Sequence, residues 1–376
     1  MADTFYFSRD TKVHLTDSAS AVYNIPVLDG FSFSQATNTT EVTLNEMATA
    51  AGVSRRARQM FTDSYAPAEW SFSTYIRPFT SGGGDAGGEH DAAHSHVVEE
   101  ALWNALAGSG AVGASGAGFT TADANGADLS FANSNKTTLD TFTLTFEMGS
   151  GKTSPTIYQI ADCVVNEVSI DFDIDGIATA NWSGFGQIIT ETSSMPTATI
   201  YEGTAAADTN NFIRNRLTDL TVTATAAGDI QTAYSLTLTG GNVTIGNNIS
   251  FLTPETLGIV NQPLGHVTGT RNVAGNFTCY LNTPSSGASS TDLFEDIIES
   301  TSVVTNDFNL VFVVGGTVAH TAGGPSFKIT LPTCHLEVPT HSIDDIVSLE
   351  TSFHALPTSV DGTDEATIEF KGPTVT

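Results

Sequence analysis

The sequence predicts a mainly β protein built from two tandem β-sandwich or half-barrel domains, residues 1–200 and 201–376, each with one short packing helix. Three observations predict it. Apolar and polar residues alternate at period two through most of the chain, the spacing of strands with one covered face. Only 14% of the 376 residues are charged, and Gly, Ser, Thr, Ala and Asn fill the gaps between apolar runs, as in a β-rich chain with many turns. The order of elements in residues 20–200 then returns in about 230–360, which reads as an internal duplication. With 40% hydrophobic residues and 22 Phe, the chain has apolar surface enough to offset its conformational entropy, which excludes disorder, and length enough for two cores.

The first copy opens with FYFSRDTKVHL and AVYNIPVLDGFSFS, in which Tyr23, Ile25 and Val27 share one side of a strand. From Ala36 to Pro67 the alternation dissolves into a connection too long for a simple hairpin, and loops of that length inside compact domains are usually functional. The aromatic strand WSFSTY, Trp70–Tyr75, follows. A Gly-rich insert with His90, His94 and His96 leads to a helix expected from near His96, where Val98, Leu102 and Leu106 keep helical spacing and Glu99 and Glu100 sit at the end favoured by the helix dipole. The run GSGAVGASGAG ends that helix and is expected on the surface. Strands TFTLTFEMG and IYQIADCVV, around Cys163, lead into VSIDFDIDGIATANWSGFG. There Asp175-Gly176 signals the turn of a hairpin with one oily and one acidic side.

The second copy starts near Asn211. Its aromatic strand NFTCY aligns Phe277 with Phe72 and Tyr280 with Tyr75. These four, with Cys163 and Cys334, are expected as equivalent core positions. A long stretch, residues 247–272, corresponds to the first long loop; STDLFEDIIES is the second helix; DFNLVFVVGG and FKITLPTCHL, around Cys334, repeat the paired strands. The closing LEVPTHSIDDIVSLETSFHALPT carries Asp344-Asp345 where the first hairpin has Asp-Gly, and TDEATIEFKG is expected as an edge strand.

Candidate chemistry is sparse. Asp171, Asp173 and Asp175 spell the opening of a calcium loop, but the twelfth position, where an EF-hand needs Glu, is Trp182, and Phe172 and Ile174 alternate as in a strand. His90, His94 and His96 beside Glu89 and Asp91 have zinc-ligand chemistry, but they lie among glycines, so a polar loop is expected rather than a metal site. No GxSxG, P-loop, HExxH, CxxC or dinucleotide-binding glycine pattern occurs, and no carboxylate pair stands out, so neither enzyme activity nor a cofactor is expected. Three cysteines without metal-site spacing fit a reducing compartment. No apolar run approaches the ~20 residues that span a bilayer, and the amino-terminal residues lack an apolar leader, so synthesis in a cytoplasm and no membrane partner are expected.

The formal charge is −28. Residues 1–200 hold eight basic and 23 acidic side chains, residues 201–376 five and 18, so both copies are acidic. That excludes a nucleic-acid-binding role, which needs clustered Lys and Arg. It suits a surface past which nucleic acid slides, or simply keeps the protein in water. Arg55, Arg56 and Arg58 form the one basic cluster, within the long loop. They are either a solvated turn or a plug for an acidic surface on another copy.

The segment APAEWSFSTYIRPF, preceded by VTLNEMATAAGVSRRARQMF and followed by a helix, resembles the tail tube (major tail) proteins of long-tailed bacteriophages, and VSIDFDIDGIATANWSGFG is similar to the closing hairpin of that family. The likeness covers most of the first copy and, more faintly, the second. The resemblance implies small β-sandwich or half-barrel domains whose strands join around a ring, with the long loop reaching the next ring. A chain with two such domains is then expected to form homotrimers of pseudo-sixfold symmetry, stacked into a virion tail tube through which DNA passes without specific binding. The tape measure and tail terminator would be partners. On that reading Arg55, Arg56 and Arg58 are inter-ring contacts, although the second copy has only Arg271 near its equivalent loop. The rival expectations are a carbohydrate-binding or virion decoration protein, which needs exposed aromatic platforms, and a β-rich hydrolase, which needs a carboxylate pair.

Overall fold

A computed structural model describes residues 5–28, 30–42, 59–81, 94–121, 126–131, 138–200, 209–224, 233–252, 263–283, 287–299, 308–315 and 324–373. In chain order these form β1 (Thr11–Thr16), β2 (Val22–Asn24), β3 (Ser32–Glu41), β4 (Met60–Tyr75), β5 (Pro78–Thr80), β6 (Ser95–Val97), helix α1 (Glu100–Ala107), β7 (Phe119–Thr121), β8 (Ala127–Ser130), β9 (Phe142–Met148), β10 (Thr156–Asp173), β11 (Thr179–Gly186) and β12 (Ile189–Thr192). The rest forms β13 (Asp219–Ala224), β14 (Tyr234–Ser235), β15 (Thr237–Gly246), β16 (Ser250–Leu252), β17 (Gly265–Val267), β18 (Asn272–Tyr280), helix α2 (Ser290–Glu299), β19 (Phe308–Gly315), β20 (Ser326–Leu336), β21 (Thr340–Ile343), β22 (Val347–Ala355) and β23 (Thr367–Lys371). The class is the expected one, mainly β with large antiparallel sheets.

One sheet runs through both halves in the order β3-β4-β11-β10-β15-β18-β22, with β21 and the end of β20 on the far side of β22. Against it lie β2-β1-β9-β10-β12 and β14-β13-β19-β20-β23-β8-β7. No succession of pairings among the described strands closes on itself, so the sheets stay open. Strands β10 and β20 each serve two layers, and each changes layer at its cysteine. Cys163 faces Phe142 across a register shift after Ile160, and Cys334 faces Phe308 across a shift before Leu310. In both, the thiol donates to the carbonyl three residues back, Ile160 at 3.3 Å and Leu331 at 3.9 Å. The inserted residue of a bulge bends a strand, which carries β10 from one layer to the other.

The buried alternates of these strands meet in one core. Phe172 stacks on Phe312 at 5.3 Å, Phe312 touches Phe353 at 5.8 Å, and Trp103 touches both Trp182 at 4.7 Å and Phe370 at 5.4 Å. Close strand approach makes room for the rings: a Cβ on Gly184 would lie 2.5 Å from the Trp70 ring, and one on Gly275 2.7 Å from Phe353.

Several expectations are corrected. Helix α1 starts at Glu100, not near His96, because His96 and the β-branched Val97 join β6, which pairs with β5. The helix is buried all round, with β10, β7 and β8 against it and the Phe370 ring on Trp103. The loop expected over 36–67 is strand at both ends: residues 36–41 continue β3 and 60–67 open β4, and the two pair as a mostly exposed ribbon, while residues 43–58 lie outside the described residues. The Gly-rich run after α1 folds back on Asn104, which bonds Gly110 and Gly118, so it is partly buried rather than superficial. Strand β23 is not an edge strand, because β20 and β8 flank it. The first hairpin turns over residues 174–178 with Gly176 at φ +120°, and Ile174 lies exposed in the turn instead of on the oily face. In α2 the Ser289 N–H donates to Asp292 Oδ2 at 2.7 Å, the back-bond of a capping box.

Candidate functional site

The long sheet has one face in the core and one in solvent. On the solvent side the register lines up rows that cross both halves. One runs Ser73, Asn181, Ser169, Thr244, Ala274, His354; the next runs Tyr75, Thr179, Asp171, Asn242, Asn276, Ser352. Period two dictates this composition: in Glu69–Ser73, Glu167–Asp173 and Thr179–Ser183 every second residue is Ser, Thr, Asn, Asp or Glu, and those between are Trp, Phe, Ile, Val and Ala. The face is knitted: Ser73 donates to Asn181 Oδ1 at 2.6 Å, Asn181 to Asp171 at 3.0 Å, and the Asn276 N–H to Asn242 at 3.0 Å.

The strands of this face carry charges of one sign: Glu69, Glu167, Asp171, Asp173 and Glu350 are exposed there, and none of these strands contains Lys or Arg. At the rim, outside the strands, Arg216 lies 3.6 Å from Asp175 and beside Asp173. Arg271, beside the start of β18, is held at 3.2 Å from Glu365 and lies 4.0 Å over the Phe131 ring. Arg77 is buried against Glu99, its Nε 2.8 Å from Oε1. Burial pushes the Glu99 carboxyl up and the guanidinium pulls it back. Arg55, Arg56 and Arg58 lie outside the described residues, in the connection between β3 and β4.

Among the described residues both ends of the sheet are open: β3 pairs with β4 alone, and β21 with β22 alone. Unpaired edges are templates for a further strand.

The structure divides the other expected positions. Phe72, Phe277, Cys163 and Cys334 are buried in the core, whereas Tyr75 and Tyr280 are half-buried on the polar face. Residues three apart on a strand point to opposite sides, so neither tyrosine can share its phenylalanine's environment. His96 is buried with Nδ1 2.9 Å from Glu100 Oε2, and His94 is half-buried; His90 lies outside the described residues. Among the described residues no group of three or more His, Cys, Asp or Glu is placed to hold a metal ion. Trp70, Trp103 and Trp182 are all buried, so no tryptophan forms an exposed sugar platform. The open edges were missed on sequence, where pairing partners carry no local signal; the lack of Lys and Arg in the alternating strands was the available clue to the face.

No protein-family model matches the sequence. The chain is 30% identical over 350 residues to the tail tube protein pb6 of Escherichia phage T5, a match covering 92% of this chain and 70% of that protein. A sheet of one-signed polar face and open edges, carried on a chain so related, places it: the chain belongs to the tail tube proteins of bacteriophages.

Proposed function

We propose that the chain is the repeating subunit of a phage tail tube, three copies closing a pseudo-sixfold ring and the rings stacking into a conduit for DNA. The observation that carries this reading is the joint between β10 and β15. There the strand of the first half that stands at the end of its four in the sheet pairs through seven residues with the facing strand of the second half, Glu167 opposite Gly246 to Asp173 opposite Gly240. The two halves, on this reading, are copies of one module, and the same joint made between chains closes the ring and removes both open edges.

The dimensions agree. Each half supplies four strands to the long sheet, so three chains supply three times eight. With strands about 4.8 Å apart and tilted about 40°, such a barrel is roughly 48 Å across at the backbone, wider than the small barrels that side chains fill. Its polar face, turned inward, repels a duplex carrying one negative charge per about 1.7 Å, so DNA passes without being held. The protein works by shape and charge, making and breaking no bond. It is a virion component, made in the host cytoplasm, that meets itself, the tape measure and the tail terminator, with Arg55, Arg56 and Arg58 contacting the next ring. Light scattering and negative-stain images of purified protein test this: rings or tubes are expected at high concentration, and a protein that stays monomeric refutes it.

A further inference from the structure

The edge of β21 is unfinished in two respects. Among the described residues nothing pairs with its outer backbone edge, and Ile343, on the side that the other strands turn to the core, is 81% exposed. The matching side of β10 shows what finishes such a strand. Val168, Ile170 and Phe172 are buried because β15 pairs with the edge and the sheet containing Phe312 and Phe327 lies over the face.

The ladder gives the correspondence residue by residue. In the first half Ser73 pairs with Asn181, Asn181 with Ser169, and Ser169 with Thr244. In the second half Thr278 pairs with Glu350 and Glu350 with Thr340, where the row stops. The residue that stands on β3 as Thr244 stands on β15 is Ser34: Ser34 pairs with Glu69 as Thr244 pairs with Ala274, and Glu69 and Ala274 each lie three residues before the aligned Phe72 and Phe277.

We infer that β21 of one copy docks on β3 of a second copy in one register, Thr340 opposite Ser34, His341 opposite Phe33 and Ser342 opposite Ser32. This rests on the proposed ring and specifies its joint. Parity supports it. Ser32 and Ser34 lie on the polar face of β3, as Thr340 and Ser342 do on β21, so the polar rows continue across the joint. Phe31 and Phe33, half-buried in the single chain and stacked on Phe146 at 5.5 and 4.7 Å, occupy the core side, where they meet His341 and Ile343. Helix α2 belongs to the same seam, since Phe294 packs edge-on against His341 at 4.5 Å.

The test is paired cysteines in the full chain. The native Cys163, Cys279 and Cys334 are buried, so background linkage is low. Ser342→Cys with Ser32→Cys, and Thr340→Cys with Ser34→Cys, are expected to link copies on mild oxidation, giving dimer and trimer bands on a non-reducing gel. The slipped pair Thr340→Cys with Ser32→Cys is expected to give at least tenfold less. Should the cysteine chains assemble poorly, hydrogen exchange on the unaltered protein reads the same joint, with those amides of Thr340–Ile343 that point away from β22 protected in assemblies and open in the isolated chain. Rings that link best through the slipped pair, or leave those amides unprotected, overturn the register and leave the proposed function standing. A chain that light scattering shows to stay monomeric overturns both.

Discussion

At the residue scale, the buried ion pair between Arg77 and Glu99 is the position where one atom change does most. Both side chains are almost inaccessible, and a buried charge that loses its partner costs far more than the pair contributes. Glu99→Gln is expected to destabilise the chain by about 3–4 kcal/mol, and Arg77→Met with Glu99→Leu to recover most of that loss, both read from denaturant midpoints. Asp17 behaves otherwise. Burial raises its carboxyl, with Glu100 adding to it, while the N–H groups of Ala21 and Ala19 pull it back. A folded-state pKa raised above the unfolded one gives stability that is present below the unfolded value of 3.8 and is lost as pH rises through the folded value. Asp17→Asn removes that titration while its amide oxygen can still accept from Ala19 and Ala21. Its Tm is expected about 2 °C above the parent at pH 7, with the gain vanishing at pH 3.5. Equal gains at both values would show that the carboxyl is not strained.

At the element scale, glycines set how closely strands approach. Gly184 puts its α-carbon side against the Val164 carbonyl and the Trp70 ring, at 2.0 and 2.5 Å from where a Cβ would stand. Gly184→Ala is expected to cost about 2 kcal/mol, measured by thermal or denaturant unfolding, and little loss would mean that the strands yield. How legible the elements were depends on whether the signal was local. Period-two alternation announced the strands around Trp70, Phe142 and Val168, and the Asp-Gly turn announced the hairpin, because each needs only neighbours in sequence. The start of α1 is not legible locally because β5 draws His96 and Val97 into a strand, and β23 reads as an edge because β8, which covers it, is far away in sequence. For Tyr75 and Tyr280 similarity of motif points to the core, and the parity of the strand overrides it. The acidic face was half legible: the Asp alternation in the hairpin after Cys163 shows it locally, while its continuation through Thr244, Asn276 and Ser352 exists only in the register.

At the scale of the whole molecule, the account makes charge on one face a requirement of passage, separate from assembly. Exposed residues of that face lie outside the core, so Glu167→Lys, Asp171→Lys and Glu350→Lys together are expected to leave folding and ring formation intact. Tubes of that triple variant should retain added duplex DNA at 50 mM salt and release it by 200 mM, since basic contacts to phosphate weaken steeply with salt; unaltered tubes should retain none at either. The most direct measurement of the central claim is a cryo-electron microscopy reconstruction of tubes grown from the purified chain. The account predicts three chains per ring, an unbroken β-barrel passing through a β10–β15 joint within each chain and a β21–β3 joint between chains, and Glu167, Asp171 and Glu350 facing the channel. A tube whose channel is lined by the other face of the sheet, or whose rings meet without strand pairing, would contradict it.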